Sequence, residues 1–206
     1  MGRVTMKFTY PEGATPIEDI SGLKLKWVQT QEDLNQAEAE NIYQATRKYL
    51  LKPVSTVEKW FHVPFLKEVH QEMFSLVWDW AGSFRTHRTI PGIEPYQIPE
   101  ALHNLCEDVR FWSNLDDNTL YIEQAAIIHH RLVFIHPFSN GNGRFSRVIA
   151  DRFLKSKGCK IPIWPVDISE GSERRKQYIQ SLRSADKGDL IPLQKYMIEC
   201  GASIKE

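Results

Sequence analysis

Apolar residues recur every three or four positions along most of the chain, and this spacing places them on one face of an α-helix. The longest such series consists of Leu66, Val69, Met73, Leu76, Val77 and Trp80. Pro64 suits the first turn of this helix, and Gly82 suits its C-terminal end. The same spacing predicts further helices near residues 99–113, 117–134, 142–157, 172–186 and 190–202.

A helix is also expected over about residues 31–51. Thr30 is a good N-cap, and Asp33 stands at the position that completes a capping box. The preceding residues, 1–29, lack helical spacing and are interrupted by residues that break regular structure. These are Pro11, Gly13, Pro16 and Gly22. We expect residues 1–29 to form an arm on the surface of a domain that spans 30–206.

Residues 83–98 break the helical spacing. Segments 83–86 and 96–98 are predicted to form two short strands, with a turn at Pro91 and Gly92 between them. The predicted fold class is therefore all-α, a helical bundle with one small β-hairpin.

Among the features of the composition, the charge balance says most about which functions are excluded. The 206 residues include 26 Lys and Arg against 26 Asp and Glu, so no direct nucleic-acid binding is expected. No run approaches the ~20 apolar residues of a membrane helix, and the N-terminus has no apolar signal region. We expect a cytoplasmic protein without membrane spans. Three widely spaced cysteines, Cys106, Cys159 and Cys200, favour buried reduced thiols over a disulfide framework or a zinc site.

Residues 136–147 read His-Pro-Phe-Ser-Asn-Gly-Asn-Gly-Arg-Phe-Ser-Arg and carry the candidate chemistry. His136 follows an apolar helical run and precedes a proline, which disfavours helical geometry at the histidine. We therefore expect a helix to end there. A histidine with a near-neutral pKa at such a position is a candidate general base. The alternative for a lone histidine is a packed core residue.

The residues after this histidine indicate an anion site. Gly141 and Gly143 are expected to adopt backbone shapes that other residues avoid, and Asn142 can donate its amide to a phosphate. A helix that begins here adds its positive end. Arg144 and Arg147 are three residues apart, so they are expected to share a helix face and to bind phosphate oxygens. Together these features suggest transfer of a phosphate-containing group. The alternative is a plain helix start with arginines that are solvated or held in salt bridges.

The twelve residues resemble the signature of the Fic (Fic/Doc, or Fido) family, His-x-Phe-x-acid-Gly-Asn-Gly-Arg-x-x-Arg, with Asn140 in place of the acid. Residues 80–86 resemble the segment that leads into the family's β-hairpin flap. Residues 185–193 are similar to its C-terminal stretch. The resemblance covers about residues 30–200, and it implies the all-α Fic fold with a flap at 83–98.

The N-terminal part resembles one subgroup of the family. Residues 13–16, Gly-Ala-Thr-Pro, together with residues 30–42, are similar to the Fic subgroup named mobile mystery protein B.

The resemblance implies a protein adenylyltransferase, which transfers AMP from ATP to a Ser, Thr or Tyr hydroxyl of a protein target. His136 would be the base, Arg144 and Arg147 would hold the phosphates, and ATP would be the co-substrate with Mg²⁺ or Mn²⁺. The family's acid binds this metal ion. Asn140 offers a neutral oxygen in its place, so we expect weakened metal affinity rather than none.

Other roles come from the resemblance alone. Tyr178 and Asp186 lie in the region that lines the adenine pocket in related proteins. The flap at 83–98 would dock a protein substrate by β-strand addition, and the alternative is an ordinary surface hairpin. Self-modification and a homodimer are both left open.

Some members of the family carry an inhibitory helix with the pattern Ser/Thr-x-x-x-Glu-Gly/Asn. Residues 30–51 contain a partial match that ends in Glu40 and Asn41. One hypothesis is that Glu40 pairs with Arg147 and represses activity. The alternative is that Glu40 is a solvated helix charge.

Two further functions stay open from the sequence. One is a Doc-like protein kinase, or another nucleotidyl- or phospho-transferase. The other is a catalytically weakened nucleotide-binding regulatory module, which Asn140 makes credible.

Overall fold

The computed structural model describes residue 20 and residues 22–113, 121–165 and 172–203. Over these residues the regular secondary structure is almost entirely helical. The helices are α1 (Gln31–Leu51), α2 (Val57–Trp60), α3 (Val63–Phe74), α4 (Ile98–Ser113), α5 (Tyr121–Ile135), α6 (Asn142–Ser156), α7 (Glu173–Ala185) and α8 (Ile191–Glu199). A 3-10 turn at Pro95–Gln97 leads into α4. The all-α prediction is confirmed, and most predicted helices lie within a few residues of their observed bounds.

Helix α1 begins as its sequence predicts. The Thr30 hydroxyl accepts the Asp33 N–H at 3.1 Å, and the Asp33 carboxylate accepts the Thr30 N–H at 2.9 Å, which is a complete capping box. The buried face of α1 carries Leu34, Ala45 and Tyr49, and also two polar residues, Glu38 and Asn41. These two polar side chains therefore face the interior of the bundle.

The pair α5 and α6 forms the centre of the bundle. They pack against each other along their length, α1 packs on α3 and α6, and α8 packs on α5 and α7. Helix α6 is buried on nearly every side, with Phe145, Ile149 and Phe153 at its centre. The loop that joins α5 to α6 is thereby fixed between two rigid elements.

The predicted hairpin is wrong in its second strand. Phe84 forms an isolated antiparallel bridge with Phe138, but residues 96–98 are helical. Glu94 and Gln97 form a capping box around Pro95, and a proline at the first helical position favours a helix start. Segment 83–98 is therefore an irregular flap within the described residues.

The helix predicted through Trp80 ends early, at Phe74. The Asn41 side chain accepts the Leu76 N–H at 3.0 Å, and Trp78 forms an isolated bridge with Leu23. The Leu76 N–H thus bonds to a side chain instead of a helical carbonyl, and the regular helix does not continue.

Other expectations meet the structure only in part. The predicted arm lies outside the described residues up to position 19, and residues 22–29 contain no helix. Cys106, Cys159 and Cys200 are free thiols. Among the helices in the described ranges, none has the length and apolar character needed to cross a bilayer.

Candidate active site

His136 lies immediately after α5 in an unusual backbone conformation. Its φ is +52°, in the left-handed region that residues other than glycine rarely adopt. Its N–H still completes the helix by donating to the Leu132 carbonyl at 3.1 Å. Pro137 follows and prevents the helix from continuing. The imidazole therefore sits at a fixed corner between α5 and the loop to α6.

The imidazole of His136 is buried, with an exposed fraction of 6%. Its Nδ1 lies 3.2 Å from the Val133 carbonyl oxygen, and because that oxygen only accepts, Nδ1 carries the proton in the neutral ring. Nε2 is then the basic nitrogen. Burial lowers the pKa of His136 to about 4, the bond to Val133 opposes the shift, and the charge of Arg85 adds to it. At neutral pH the ring is uncharged, as a general base must be.

The loop after His136 is held by the Asn142 side chain. Its Nδ2 donates to the Phe138 carbonyl at 2.8 Å, and its Oδ1 accepts the Phe138 N–H at 3.0 Å. Asn142 is 2% exposed. The expectation that its amide donates to a phosphate is therefore corrected, since both of its polar atoms shape the loop instead.

His70, which was not predicted as a site residue, supports the same loop. Its Nε2 donates to the Asn140 carbonyl at 3.0 Å, and its Nδ1 accepts the Gly82 N–H at 3.0 Å. Its ring stacks on Phe138 with centroids 3.6 Å apart. Burial lowers the pKa of His70 to about 3, so it is a neutral structural group. His70 lies among the buried apolar residues of α3, and that position in the sequence did not indicate this role.

The N-terminus of α6 has a glycine as its N-cap and has no side-chain cap among the described residues. Gly141 has φ +76°, and a Cβ there would lie 2.2 Å from the Phe74 ring, so only glycine fits. The unusual backbone shape expected at Gly143 is not observed, because this residue is helical. A Cβ added there would lie 3.8 Å from the Tyr178 hydroxyl, which is an ordinary contact.

The two arginines of the motif lean toward different neighbours. Arg144 donates to the Glu38 carboxylate at 2.6 Å and lies over the Phe74 ring at 5.0 Å. Arg147 lies 5.7 Å from the ring centroids of both Trp164 and Tyr178. Both residues lie three apart in α6 as predicted, but their guanidiniums contact different neighbours. The guanidiniums flank the start of α6 on the α1 side and the α7 side.

Asp151 and Trp164 lie beneath Arg147, and the sequence analysis named neither as a site residue. The Trp164 indole N–H points at both carboxylate oxygens of Asp151, at 2.9 and 3.1 Å. Burial raises the pKa of Asp151 to about 8, while the Trp164 bond and the charge of Arg147 oppose the shift. The carboxyl group is therefore mainly protonated at neutral pH.

Tyr178 and Asp186 occupy different environments. Tyr178 is 3% exposed, and its hydroxyl lies 2.9 Å from Nε2 of His129. It packs behind Arg147 rather than lining an open pocket. Asp186 pairs with His130 at 2.9 Å, and half of its side chain is exposed.

The contact expected between Glu40 and Arg147 is not formed. Glu40 is exposed and accepts a hydrogen bond from Gln44 at 2.8 Å. Asn41 is buried and donates to the Glu72 carbonyl at 2.7 Å, so its role is to join α1 to α3. The helical period places Glu38, not Glu40, on the inner face of α1. Glu38 is the acidic residue that contacts a motif arginine.

Glu38 is held in place by a second bond. Its other oxygen accepts the Trp78 indole N–H at 2.7 Å, and its side chain is 4% exposed. An anion that approaches Arg144 must therefore compete with a fixed carboxylate.

Asn140 offers little to a metal ion by itself. Its side-chain oxygen accepts the N–H of Gly141. Within the described residues, no group of three or more His, Cys, Asp or Glu side chains could hold a metal ion. A Mg²⁺ ion here would need most of its oxygen ligands from a bound polyphosphate.

The sequence around this site is similar to proteins of one family. Residues 60–154 match the model of the Fic/DOC family. "Protein adenylyltransferase fic-1" of Caenorhabditis elegans is 37% identical over 120 residues, which are 57% of this chain and 22% of that protein. "Protein adenylyltransferase Fic" of Drosophila mojavensis is 32% identical over 121 residues, which are 58% of this chain and 23% of that protein. The chain thus spans under a quarter of the length of these curated relatives.

Solved structures share the fold. BepC from Bartonella tribocorum, crystallised with bound AMPPNP, superposes with a TM-score of 0.68 at 19% identity and covers 96% of this chain and 97% of its own. A fragment of Fic-1 from C. elegans gives a TM-score of 0.61 at 26% identity, over 85% of this chain and 50% of that one. The helical architecture is therefore that of the Fic fold.

Proposed function

We propose that the chain is a member of the Fic/DOC family, whose model residues 60–154 match, and that it is a protein adenylyltransferase. A Ser, Thr or Tyr hydroxyl of a protein target attacks the α-phosphorus of ATP. The bond from the α-phosphorus to the bridging oxygen breaks, and pyrophosphate leaves. The hydroxyl proton passes to Nε2 of His136. The names of the relatives, which are adenylyltransferases, support this reaction over others.

One observation carries the proposal. A buried neutral imidazole stands at the end of α5, joined by a clamped five-residue loop, 137–141, to an uncapped helix start with two arginines. The main-chain N–H groups at the start of α6 are arranged for phosphate oxygens. Positioning and charge stabilisation supply most of the rate in phosphoryl transfer.

The phosphates of ATP would be held by the first turn of α6 with Arg144 and Arg147. Mg²⁺ or Mn²⁺ would enter with ATP, neutralise phosphate charge and take Asn140 as a weak additional ligand. Because Arg144 is paired with Glu38, ATP binding would require this ion pair to open. The proposed enzyme is therefore partly autoinhibited, with Glu38 in the role expected of Glu40.

A protein target is proposed to dock on the flap at 83–98. Two large side chains of this segment are highly exposed, Ile90 at 96% and Tyr96 at 79%. They offer an apolar contact surface on the segment whose Gly92 packs against His136. In the absence of a separate target, the same surface would accept a second copy of the chain for self-modification.

The test uses ATP labelled separately at the α- and γ-phosphates, with wild type, His136→Ala and Glu38→Gln proteins. We expect α-label on protein for wild type, more for Glu38→Gln, and none for His136→Ala. Transfer of γ-label would show a kinase and contradict the proposal. Nucleotide binding without either label, even for Glu38→Gln, would show a regulatory nucleotide-binding module.

A further inference from the structure

Arg85 is a buried arginine whose guanidinium donates to four main-chain carbonyl oxygens of the described residues. Its residue exposure is 2%. Nε donates to the His136 carbonyl at 2.5 Å, and Nη2 donates to the Ile135 carbonyl at 3.2 Å. Nη1 donates to the His87 carbonyl at 2.8 Å, and Nη2 also donates to the Ile93 carbonyl at 2.6 Å. One side chain thus joins the end of α5 to two points of the flap.

The end of α5 needs such a cation. The last carbonyl groups of a helix lack helical partners and carry partial negative charge. The left-handed backbone of His136 costs on the order of 1–3 kcal/mol and persists only where the surroundings impose it. Arg85 meets both needs at once, because it binds the carbonyls of residues 135 and 136 and its own N–H donates to the Pro137 carbonyl at 3.0 Å.

The flap also touches the imidazole-bearing residue directly. Gly92 has φ +143°, and a Cβ there would lie 2.7 Å from Nη2 of Arg85 and 3.1 Å from Cβ of His136. The flap backbone, the guanidinium and the histidine are therefore packed without space for a methyl group.

We propose that Arg85 is the positioning residue of His136 and couples the position of its imidazole to the flap. It touches no reacting atom. It fixes the backbone turn from which the imidazole projects, and it holds that turn against His87 and Ile93 of the flap. A target segment that moves the flap would thereby move the base. The assignment rests on the proposed function for the role of His136 as base.

The charges around His136 predict the direction in which its pKa changes when Arg85 is replaced. Burial lowers the pKa of His136, and the positive charge of Arg85 lowers it further. On the flap, the charge of Glu94 favours the protonated form of Arg85 and opposes the effect of burial on its pKa. Loss of the guanidinium removes a positive charge and loosens the burial, so both changes raise the pKa of His136.

The experiment titrates the His136 ring by NMR in histidine-labelled protein, with the signal assigned by its loss in His136→Gln. Wild type is compared with Arg85→Gln, Arg85→Lys and Gly92→Ala. Arg88→Gln is the matched control, because that neighbouring arginine is exposed and binds Glu94 in a surface ion pair. We expect the midpoint to rise by about one pH unit or more in Arg85→Gln. In Arg85→Lys the rise should be smaller, and in Arg88→Gln absent.

Turnover adds a second readout. Misplacement of the base by about 1 Å costs on the order of 100-fold in rate, so kcat of Arg85→Gln should fall by roughly that factor. The KM for ATP should stay unchanged, because α6 holds the phosphates. Arg85→Lys should recover part of kcat.

The outcomes separate the two proposals. A folded Arg85→Gln protein with wild-type His136 titration and kcat overturns the positioning role. If Arg85→Gln does not fold, Gly92→Ala decides, since its methyl group would lie within 3.1 Å of Thr89 Oγ1, Nη2 of Arg85 and Cβ of His136 and must shift this packing while all charges remain. An unchanged His136 signal in that variant also overturns the role. If wild type transfers no label from ATP but the titration shifts as expected, the positioning role stands and the adenylyltransferase proposal falls.

Discussion

Buried polar side chains with main-chain partners shape the loop between α5 and α6. His70 binds the carbonyl of Asn140, Asn142 binds both polar groups of Phe138, and Arg85 binds the turn at His136. The sequence predicts the histidine and the arginines of the motif because their chemistry is visible in their order. It could not predict His70, Arg85 or Glu38 as partners, because these contacts join residues more than 50 positions apart.

The low pKa of His136 predicts the acid limb of the reaction. A general base must be deprotonated, and burial lowers the pKa of His136 to about 4. Activity should therefore fall below about pH 5, and not near the pKa of ~6.5 of an exposed histidine. The check is a pH profile of kcat/KM in one buffer series, with stability confirmed at each pH. An acid limb centred near pH 6.5 would contradict a buried base.

The Glu38–Arg144 pair predicts a gain of function. Glu38→Gln removes the negative charge but keeps an oxygen for the Trp78 indole N–H. ATP affinity should rise several-fold, on the order of 1 kcal/mol, because Arg144 no longer has an anionic partner. Isothermal titration calorimetry with a non-hydrolysable ATP analogue measures this affinity.

The matched control is Glu40→Gln, two residues away on the exposed side of α1. It should leave the affinity unchanged. Equal affinities for wild type and both variants would show that the Glu38 carboxylate does not compete with nucleotide.

At the scale of elements, hydrophobic spacing predicted the helices well because α6 and its neighbours bury continuous helical faces. It predicted a strand at 96–98 wrongly, since the capping residues around Pro95 start a helix there. It also extended α3 beyond Phe74, because a helical spacing of apolar residues does not show where Asn41 captures the backbone. Local capping and long-range hydrogen bonds set these element ends.

The capping box of α1 can be tested as an element. Thr30→Ala removes the hydroxyl that accepts the Asp33 N–H, and loss of such a cap costs about 1 kcal/mol. Urea unfolding should show a lower midpoint with an unchanged m-value. Gln36→Ala, at an exposed position of the same helix, should change stability by no more than a few tenths of a kcal/mol. A Thr30→Ala protein as stable as the control would show that α1 is held by packing alone.

At the scale of the whole molecule, the buried titratable groups make opposite contributions to the pH dependence of stability. Burial lowers the pKa of His70 and His129 to about 3 and raises that of Asp151 to about 8. Between about pH 3 and 6.5 the unfolded chain binds more protons at these histidines, so their contribution to stability falls as pH falls. Between about pH 4 and 8 the native Asp151 keeps a proton that the unfolded chain loses. Its contribution to stability therefore falls as pH rises.

Asp151→Asn isolates the second effect. The amide oxygen still accepts the Trp164 indole N–H, but it has no proton to lose. Relative to wild type, the variant should become more stable as pH rises from 5 to 7.5, by up to about 1.4 kcal/mol per pH unit. Urea unfolding at the two pH values measures the difference. A stability difference between the two proteins that does not depend on pH would show that Asp151 is ionised in the folded protein.

The proton on Asp151 bears on the electrostatic potential at the phosphate site. A neutral carboxyl group does not offset the positive charge of Arg147, whose described neighbours include the rings of Trp164 and Tyr178 and the Tyr178 hydroxyl. Above about pH 8 the carboxylate would form and cancel part of that charge from within the helix. The protein thus keeps an attractive field for polyphosphate at neutral pH and loses part of it in alkali.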